Sequence, residues 1–445
     1  MKKIHLAIDI GASSGRHIAA WKEQGEMVMQ EVYRFPNLPK EENGHLIWDL
    51  ENLCNQVVAG LKACKEQGIT PDSVGIDTWA VDYVLLDDQD APMMPMYCYR
   101  DSRGAEAAKK LHQVIPFEAL YANTGIQFQP FNTIYQMYWD KLEGRLDQAK
   151  DFLMLPEYLS FMLCGEKCHE YTNASSTGMI NAQSKCWDME IIGKAGLPAS
   201  LFAQQPKTPP IALGKLKAEI QEKVGFCCDV VLPATHDTAS AIAALPSEHS
   251  VVDTAYISSG TWSLLGAQLL QPCTTPAAMA ANFTNEGGIG TIRFLKNIMG
   301  LWLVQCLKRE YNDEYSFAEL AALAEQEANF DYRLDVNAAC YLAPKSVRDE
   351  ISAECEKKGW PVPQTPGQFA HAIYQSLAYA YKDAIAELEH ITGQKFNRLC
   401  IVGGGVNNKY LNALTEKAIG RPVVTGASEA TALGNLLLQA AAYEK

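Results

Sequence analysis

Residues Asp9 to Arg16 read DIGASSGR, in which an apolar run, IHLAIDI, delivers a carboxylate and then turns through two glycines and two serines. Small residues let backbone N–H groups approach an anion closely, and serine hydroxyls add donors. A carboxylate at that point suits a hydrated magnesium ion, which takes one or two carboxylates together with phosphate oxygens. A tight hairpin with no ligand has the same pattern. SSGTW, Ser258 to Trp262, offers the same chemistry from the other half of the chain, and two such turns facing each other would clamp a triphosphate. The pairing carries that expectation, because a single Gly-Thr hairpin is ordinarily only a hairpin.

Three further groups of residues have chemical content. IVGGGVNN, Ile401 to Asn408, runs a strand into three glycines and then a helix starting near Asn407. Consecutive glycines are costly in chain entropy, so a close backbone approach is their expected reason, and an adenine or ribose would lie against such a surface. ATHDTAS, Ala234 to Ser240, places His236, Asp237 and Thr238 between an apolar strand, DVVLPA, and a helix of small residues. Phosphoryl transfer to a hydroxyl needs a base aimed at that hydroxyl, and Asp237 at a strand end supplies one; the alternative is that it only caps the helix. Asp77, Trp79 and Asp82 in IDTWAVD, with YRDSR (99–103) and GIQFQPFNT (125–133), bring carboxylates, amides and aromatic rings, the groups that bind sugar hydroxyls and C–H faces. Core aromatics and surface ion pairs account equally well for any one of them.

These residues need elements to hold them. IHLAIDI, RHIAAW and MVMQEVYRF read as three strands separated by turns, residues 48–66 carry apolar positions at helical spacing, and SVGIDT from Ser73 reads as a buried strand, giving βββαβ. A comparable start recurs with AYISSGTWSLLG (255–266) and GTIRFL (290–295), followed by helices over 297–310 and 369–390, the strand RLCIVG and a closing helix-strand-helix. The repeat predicts two related α/β domains around a central cleft, residues 1–245 and 246–445, with Pro- and Gly-bearing stretches near 206–214 and 245–250 as a hinge. Two unrelated hairpins are the plainer explanation.

The bulk properties are those of an ordinary globular chain: 445 residues, 48% hydrophobic and 20% charged, a length that suits two domains. A formal charge of −14 repels nucleic acid and anionic membrane, while leaving room for a local phosphate site. The 13 cysteines are odd in number and irregularly spaced, which predicts reduced thiols, and Cys164 with Cys168 lacks the second pair a zinc site needs. His5 and Asp9 interrupt what would otherwise resemble an export signal, and no apolar stretch reaches membrane-spanning length, so the cytoplasm is the expected compartment.

Taken in order, DIGASSGR, IDTWAVDYVLLD, YRDSR, GIQFQPFNT, EYTNAS, HDTASA, SSGTWSLLG, TNEGG, KNIMGLWLVQ, IVGGG and ATALGN resemble the FGGY carbohydrate kinases over nearly the whole chain. GIQFQPFNT, TNEGG and KNIMGLW resemble in particular the branch that phosphorylates L-rhamnulose. The resemblance implies two ribonuclease-H-like domains of the actin and hexokinase type, with ATP and a small sugar, L-rhamnulose, in the cleft. It implies Asp237 as the base at the sugar O1 hydroxyl, with His236 and Thr238 beside the sugar. It implies ATP contacts from Ala12, Ser13, Ser14, Gly15, Arg16, Thr261, Asn297, Gln305 and Gly404, and magnesium oriented through water by Asp9. A monomer or homodimer without nucleic acid or membrane partner is expected. Ala80 stands where the family has a glycine against the sugar, which bears on acceptor preference and leaves L-fuculose or L-xylulose as alternatives, with a noncatalytic sensor as the alternative of another class. The sequence also stops at Lys445, soon after ATALGN, where the family carries a longer tail.

Overall fold

A computed structural model describes residues 2–245 and 253–443. The chain forms two compact units. The first runs to Ala244 and takes back Leu269–Arg293 and the segment from Thr431 onward; the second holds Leu245–Gln268 and Phe294–Ala430. A block drawn along the sequence as 246–445 therefore lends two stretches to the first unit. Of the expected hinge, 246–250 lies outside the described residues, and 206–214 leads into an edge strand of the first unit's sheet.

The first unit is built on β1 (Ile4–Ile10), β2 (Ser14–Glu23), β3 (Glu26–Pro36), β4 (Ser73–Thr78), β5 (Ile211–Lys215) and β6 (Asp229–Leu232), ordered β5-β6-β4-β1-β2-β3. β1 is nearly all apolar because both its faces are covered. Leu6, Ile8 and Ile10 pack with Leu53, Val57 and Leu61 of α1 (Leu50–Glu66), whose start is fixed by Asp49 accepting from the Asn52 N–H. On the other face Ala7, Ile18 and Ala20 meet Ala432 and Leu436 of a helix near the chain's far end, Ala430–Ala441. A second core encloses the paired strands Tyr83–Leu86 and Asp151–Met154 with Leu111, Ile134, Phe152, Trp187 and Phe202.

The second unit repeats the plan with β7 (Thr254–Ser259), β8 (Trp262–Leu269), β9 (Ile292–Met299), β10 (Arg398–Val402) and β11 (Val423–Thr425), ordered β9-β8-β7-β10-β11. In both units the first strand pairs antiparallel with the second and parallel with the fourth. The order 3-2-1-4 thus occurs twice, the ribonuclease-H-like arrangement in duplicate. The long helix Pro366–Thr392 buries Ile373, Leu377, Ile385 and Leu388 and is capped by Thr365, which accepts from the Gln368 N–H.

One expected element differs. The helix read over 297–310 spans Trp302–Glu310, and residues 297–299 finish β9. The short apolar run fits both periods, and Gly300 packs so closely on the turn at Gly260–Ser263 that the chain stays extended up to it: a Cβ there would stand 2.7 Å from the Trp262 carbonyl carbon. Among the described residues no helix is long and apolar enough to cross a membrane, and all 13 cysteines are unpaired.

The closest packing near the strand ends is between Ala430–Ala441 and the helix Asp237–Ala243. A Cβ on Gly434 would stand 1.8 Å from the Ser240 carbonyl oxygen. Gly434→Ala is expected to destabilise the protein by about 1–3 kcal/mol, the usual range for overpacking, as read by chemical unfolding. Unchanged stability would show that the two helices separate freely.

Candidate active site

Strands β1, β4 and β6 run parallel, so their carboxyl ends share one edge of the sheet. Asp9 is in register with Asp77. Beyond β6 the chain stays with β4, because the Thr78 N–H donates to the Thr235 carbonyl at 2.9 Å and Thr78 bridges to His236. Asp9, Asp77 and Asp237 are gathered in this way. Burial and then the charge of Asp9 push the Asp237 carboxyl up to about 7. Asp77 is raised well above the carboxylate range by burial, then by Asp9 and, less, by Asp237.

The partners of these carboxylates are specific. Asp9 Oδ2 accepts from Arg16 Nη2 at 2.9 Å and Nε at 3.1 Å, a pair set by the hairpin register Asp9↔Arg16. Asp77 Oδ2 accepts from Asn435 Nδ2 at 2.6 Å, while Asp77 Oδ1, fully buried, has no hydrogen-bond partner. Gly11 to Arg16 form a closed turn, with Gly11 N–H on the Ser14 carbonyl at 2.9 Å and Asn37 bracing it through Gly11 and Ser13. Ala12, Ser14 and Arg16 are half-buried, Ser13 is exposed and Gly15 is buried. Crowded carboxylates with an unmatched oxygen suit a divalent cation that completes its shell with water and phosphate, as magnesium does. They do not form an all-protein cage: among the described residues no group of three or more His, Cys, Asp or Glu is placed to hold a metal.

Asp237 opens the helix Asp237–Ala243, and its Oδ1 accepts from the Thr238 N–H at 2.6 Å and the Thr238 hydroxyl at 3.1 Å. His236 Nε2 lies 3.4 Å from the same oxygen. The side chain of Asp237 remains 34% exposed, so the acid is open to a ligand. Behind His236 stand two residues to which the sequence reading gave no role, Arg293 and Glu286. Arg293 is fully buried, with Nη2 3.0 Å from His236 Nδ1 and 3.1 Å from Glu286 Oε2. A charged residue inside the apolar run GTIRFL was the signal for it. Glu170, in EYTNAS, is also fully buried and accepts from Thr172 N and Oγ1, both at 2.6 Å, and from Thr235 N at 3.0 Å and Oγ1 at 2.7 Å. It fastens the loop immediately before His236.

The group read as sugar-binding divides. Asp82 is consumed internally: its Oδ2 accepts from Trp48 Nε1 at 2.6 Å, Trp79 Nε1 at 2.9 Å and the Tyr99 N–H at 3.2 Å, and its Oδ1 from Gln136 Nε2 at 3.2 Å. Asp101 likewise accepts from the Leu46 N–H at 2.8 Å, and Arg103 donates to Gln136 Oε1 at 2.6 Å. These residues build the wall. Ala80, half-buried, lies at the bend between β4 and Tyr83–Leu86, and Gln127 keeps a buried Oε1 without a partner.

In the second unit Thr261, Gln305 and Gly404 line one cavity of about 530 Å³, whose apolar wall is Leu301, Val304, Phe317, Ala318 and Ala321, with Asn407 and Asn408 among its polar groups. Asn297, on β9, does not line it. The three glycines divide too. Gly403 and Gly405 face Ser259, where a Cβ would stand 2.9 Å from its carbonyl oxygen and 2.0 Å from its Oγ, whereas Gly404 is exposed to the cavity. Asn408 caps the following helix, Lys409–Ile419, by accepting from the Leu411 N–H.

The FGGY family of carbohydrate kinases matches along the chain, its N-terminal domain at residues 4–244 and its C-terminal domain at 255–443. A rhamnulokinase of Oceanobacillus iheyensis is 42% identical over 449 residues, covering 100% of this chain and 94% of that protein. A rhamnulokinase of Halalkalibacterium halodurans is 45% identical over 437 residues, covering 98% and 92%. The crystal structure of gluconate kinase from Lactobacillus acidophilus shares the fold, with a TM-score of 0.79 over 99% of this chain and 90% of that one at 17% identity. With a duplicated sheet order, family matches in both halves and relatives of this identity along nearly its whole length, the chain belongs to the FGGY family of carbohydrate kinases, in its rhamnulokinase branch.

Proposed function

We propose that the protein transfers the γ-phosphoryl group of ATP to O1 of L-rhamnulose, giving L-rhamnulose 1-phosphate and ADP, and that it does so in the cytoplasm. The observation that carries this reading is Asp237, a raised, partly exposed carboxylate with one oxygen already occupied. Two hydrogen bonds from Thr238 converge on Oδ1, with His236 Nε2 3.4 Å from the same oxygen, so Oδ2 is the oxygen that takes the O1 proton as the hydroxyl attacks phosphorus. His236 and Thr238 flank the acceptor in this reading, and Ala80 borders it. Ala12 to Arg16 receive the phosphates.

In this reading residues 1–245 carry the acceptor, the base and the phosphate turn, while 246–445 hold the nucleoside. The apolar wall of the second unit's cavity suits a nucleobase, and Thr261, Gln305 and Gly404 supply polar and backbone groups at its rim. Asn297 would reach the nucleotide from outside that cavity. Asp9 would hold magnesium through water; when bound, that ion neutralises charge on the phosphates. The residues' own contribution is position and electrostatics, which dominate phosphoryl transfer.

Asp237→Asn is expected to lower turnover about 100-fold or more, the usual scale for a general base, with nucleotide binding nearly intact in a displacement titration. Turnover within a few-fold of wild type would remove Asp237 from the role. ADP release measured side by side with L-rhamnulose, L-fuculose, L-xylulose, D-xylulose and glycerol checks the acceptor, and a preference for another ketose would point to Ala80.

The pH profile has a definite sign. The base works deprotonated and its carboxyl is raised to about 7, so kcat/KM should fall roughly tenfold per unit as pH drops below about 7 and level off above it. A profile flat down to pH 5 would contradict the assignment.

The nucleobase reading gives a separate outcome. Phe317 is half exposed at the cavity, and Phe317→Ala should raise the KM for ATP by roughly 5-fold, about 1 kcal/mol of lost apolar contact, without changing saturated turnover. An unchanged KM would place the base elsewhere.

A further inference from the structure

Arginine carries only donors, whereas histidine carries one donor and one acceptor when neutral and two donors when charged. Arg293 Nη2 lies 3.0 Å from His236 Nδ1, a distance at which Nδ1 must be the acceptor. A proton on Nδ1 would set two N–H groups against each other. Glu286 Oε2 is farther from Nδ1, at 3.4 Å, and is engaged by Arg293 at 3.1 Å. The guanidinium is held from a second side, since Arg293 Nε donates to the Gly287 carbonyl at 2.8 Å, and it is fully buried, so its aim is fixed by packing.

With Nδ1 committed as an acceptor, the ring of His236 is neutral and its proton sits on Nε2, 3.4 Å from Asp237 Oδ1. We infer that Arg293, clamped by Glu286 and the Gly287 carbonyl, is a positioning residue that sets the tautomer of His236, so that the proton on Nε2 lies on the side of Asp237 Oδ1, the oxygen that Thr238 already holds, and Oδ2 is left for the acceptor's proton. This deepens the kinase reading above and rests on it for the meaning of Oδ2, but the tautomer itself stands on geometry alone. Burial, and then the positive charge of Arg293, hold His236 well below its ordinary pKa, in the same direction. Arg293 and Glu286 touch neither acceptor nor nucleotide in this account; they act through the imidazole.

The test is the ¹⁵N spectrum of the full chain labelled at histidine, with the His236 signals assigned by their loss in His236→Gln. At neutral pH, wild type should show His236 with a bare Nδ1 and a protonated Nε2. Arg293→Met should replace that signature by the other tautomer or a mixture and lower kcat by about 10- to 100-fold, the usual cost of losing a partner that orients a working group. The KM values for sugar and ATP should stay within a few-fold, and Arg293→Lys, which restores a donor, should recover the Nε2–H signature. A charged ring, or a proton on Nδ1 in wild type, would overturn the inference, as would Arg293→Met keeping both signature and turnover. Because the wild-type spectrum needs no variant, failure of Arg293→Met to fold leaves a decisive measurement. Because it needs no turnover, the Nε2–H signature in a protein that phosphorylates no sugar would sustain the tautomer while sinking the kinase reading.

Discussion

Like charge crowded into one poorly hydrated edge of a sheet is the constraint on which the first unit is built. Three parallel strands bring Asp9, Asp77 and Asp237 to the same end, and carboxylates so placed raise one another's pKa unless each finds its own compensation. The compensations differ. Asp9 has a cation, Arg16, across its hairpin; Asp237 has a backbone N–H and a hydroxyl from Thr238; Asp77 has a neutral amide from the far end of the chain, Asn435. That last choice explains polar residues on a buried helix face. Asn435 also donates to the Gly75 carbonyl at 3.1 Å, and Gln439, one turn on, donates to the Leu6 carbonyl at 2.9 Å and accepts from Ser73 Oγ at 2.6 Å. From Thr431 onward the final helix therefore belongs to the first unit, and β1 and β4 are tied to a segment more than 350 residues away in sequence.

The duplicated plan was legible because it is written in short-range signals. An apolar strand, a turn of Gly with Ser or Thr and a returning strand occur at Ile4 and again at Ala255, and in both places the structure has the antiparallel pair expected. What was not legible needed long-range pairing. Nothing near Asp82 in sequence announces that two indoles, one of them 34 residues earlier, donate to it, so a carboxylate offered to a sugar turned out to be a fixture of the wall. Glu286 and Glu170 sit inside motifs that stood out, but their work is done on Arg293 and Thr235. The three glycines of IVGGG were read correctly as a close backbone approach and only in part as to what approaches: Ser259 takes two of them.

The two units present different surfaces on related sheets. At the strand ends of the first unit stand three carboxylates, Asp9, Asp77 and Asp237, each with a different partner. The second unit has instead an apolar cavity with amides and a bare glycine among its lining, the usual make-up of a small-molecule pocket.

Strain marks where the first unit has least freedom. Val81, a β-branched residue, is held at φ +72°, a conformation that costs an L-residue roughly 1–2 kcal/mol. It persists because its carbonyl accepts from Thr133 Oγ1 at 2.8 Å and Gln136 Nε2 at 3.2 Å while the next residue, Asp82, is tied to both indoles. The bend is over-determined on one side, and Ala80 is on the other. Its methyl group thus has a direction set by the backbone. In the proposed acceptor site, a methyl so fixed would discriminate by about 1–3 kcal/mol, enough to rank related ketoses but too little to forbid any of them. In the proposed site, acceptor choice is accordingly a matter of degree imposed by a rigid bend, whereas the proposed base is drawn from the carboxylates that the parallel strands bring together.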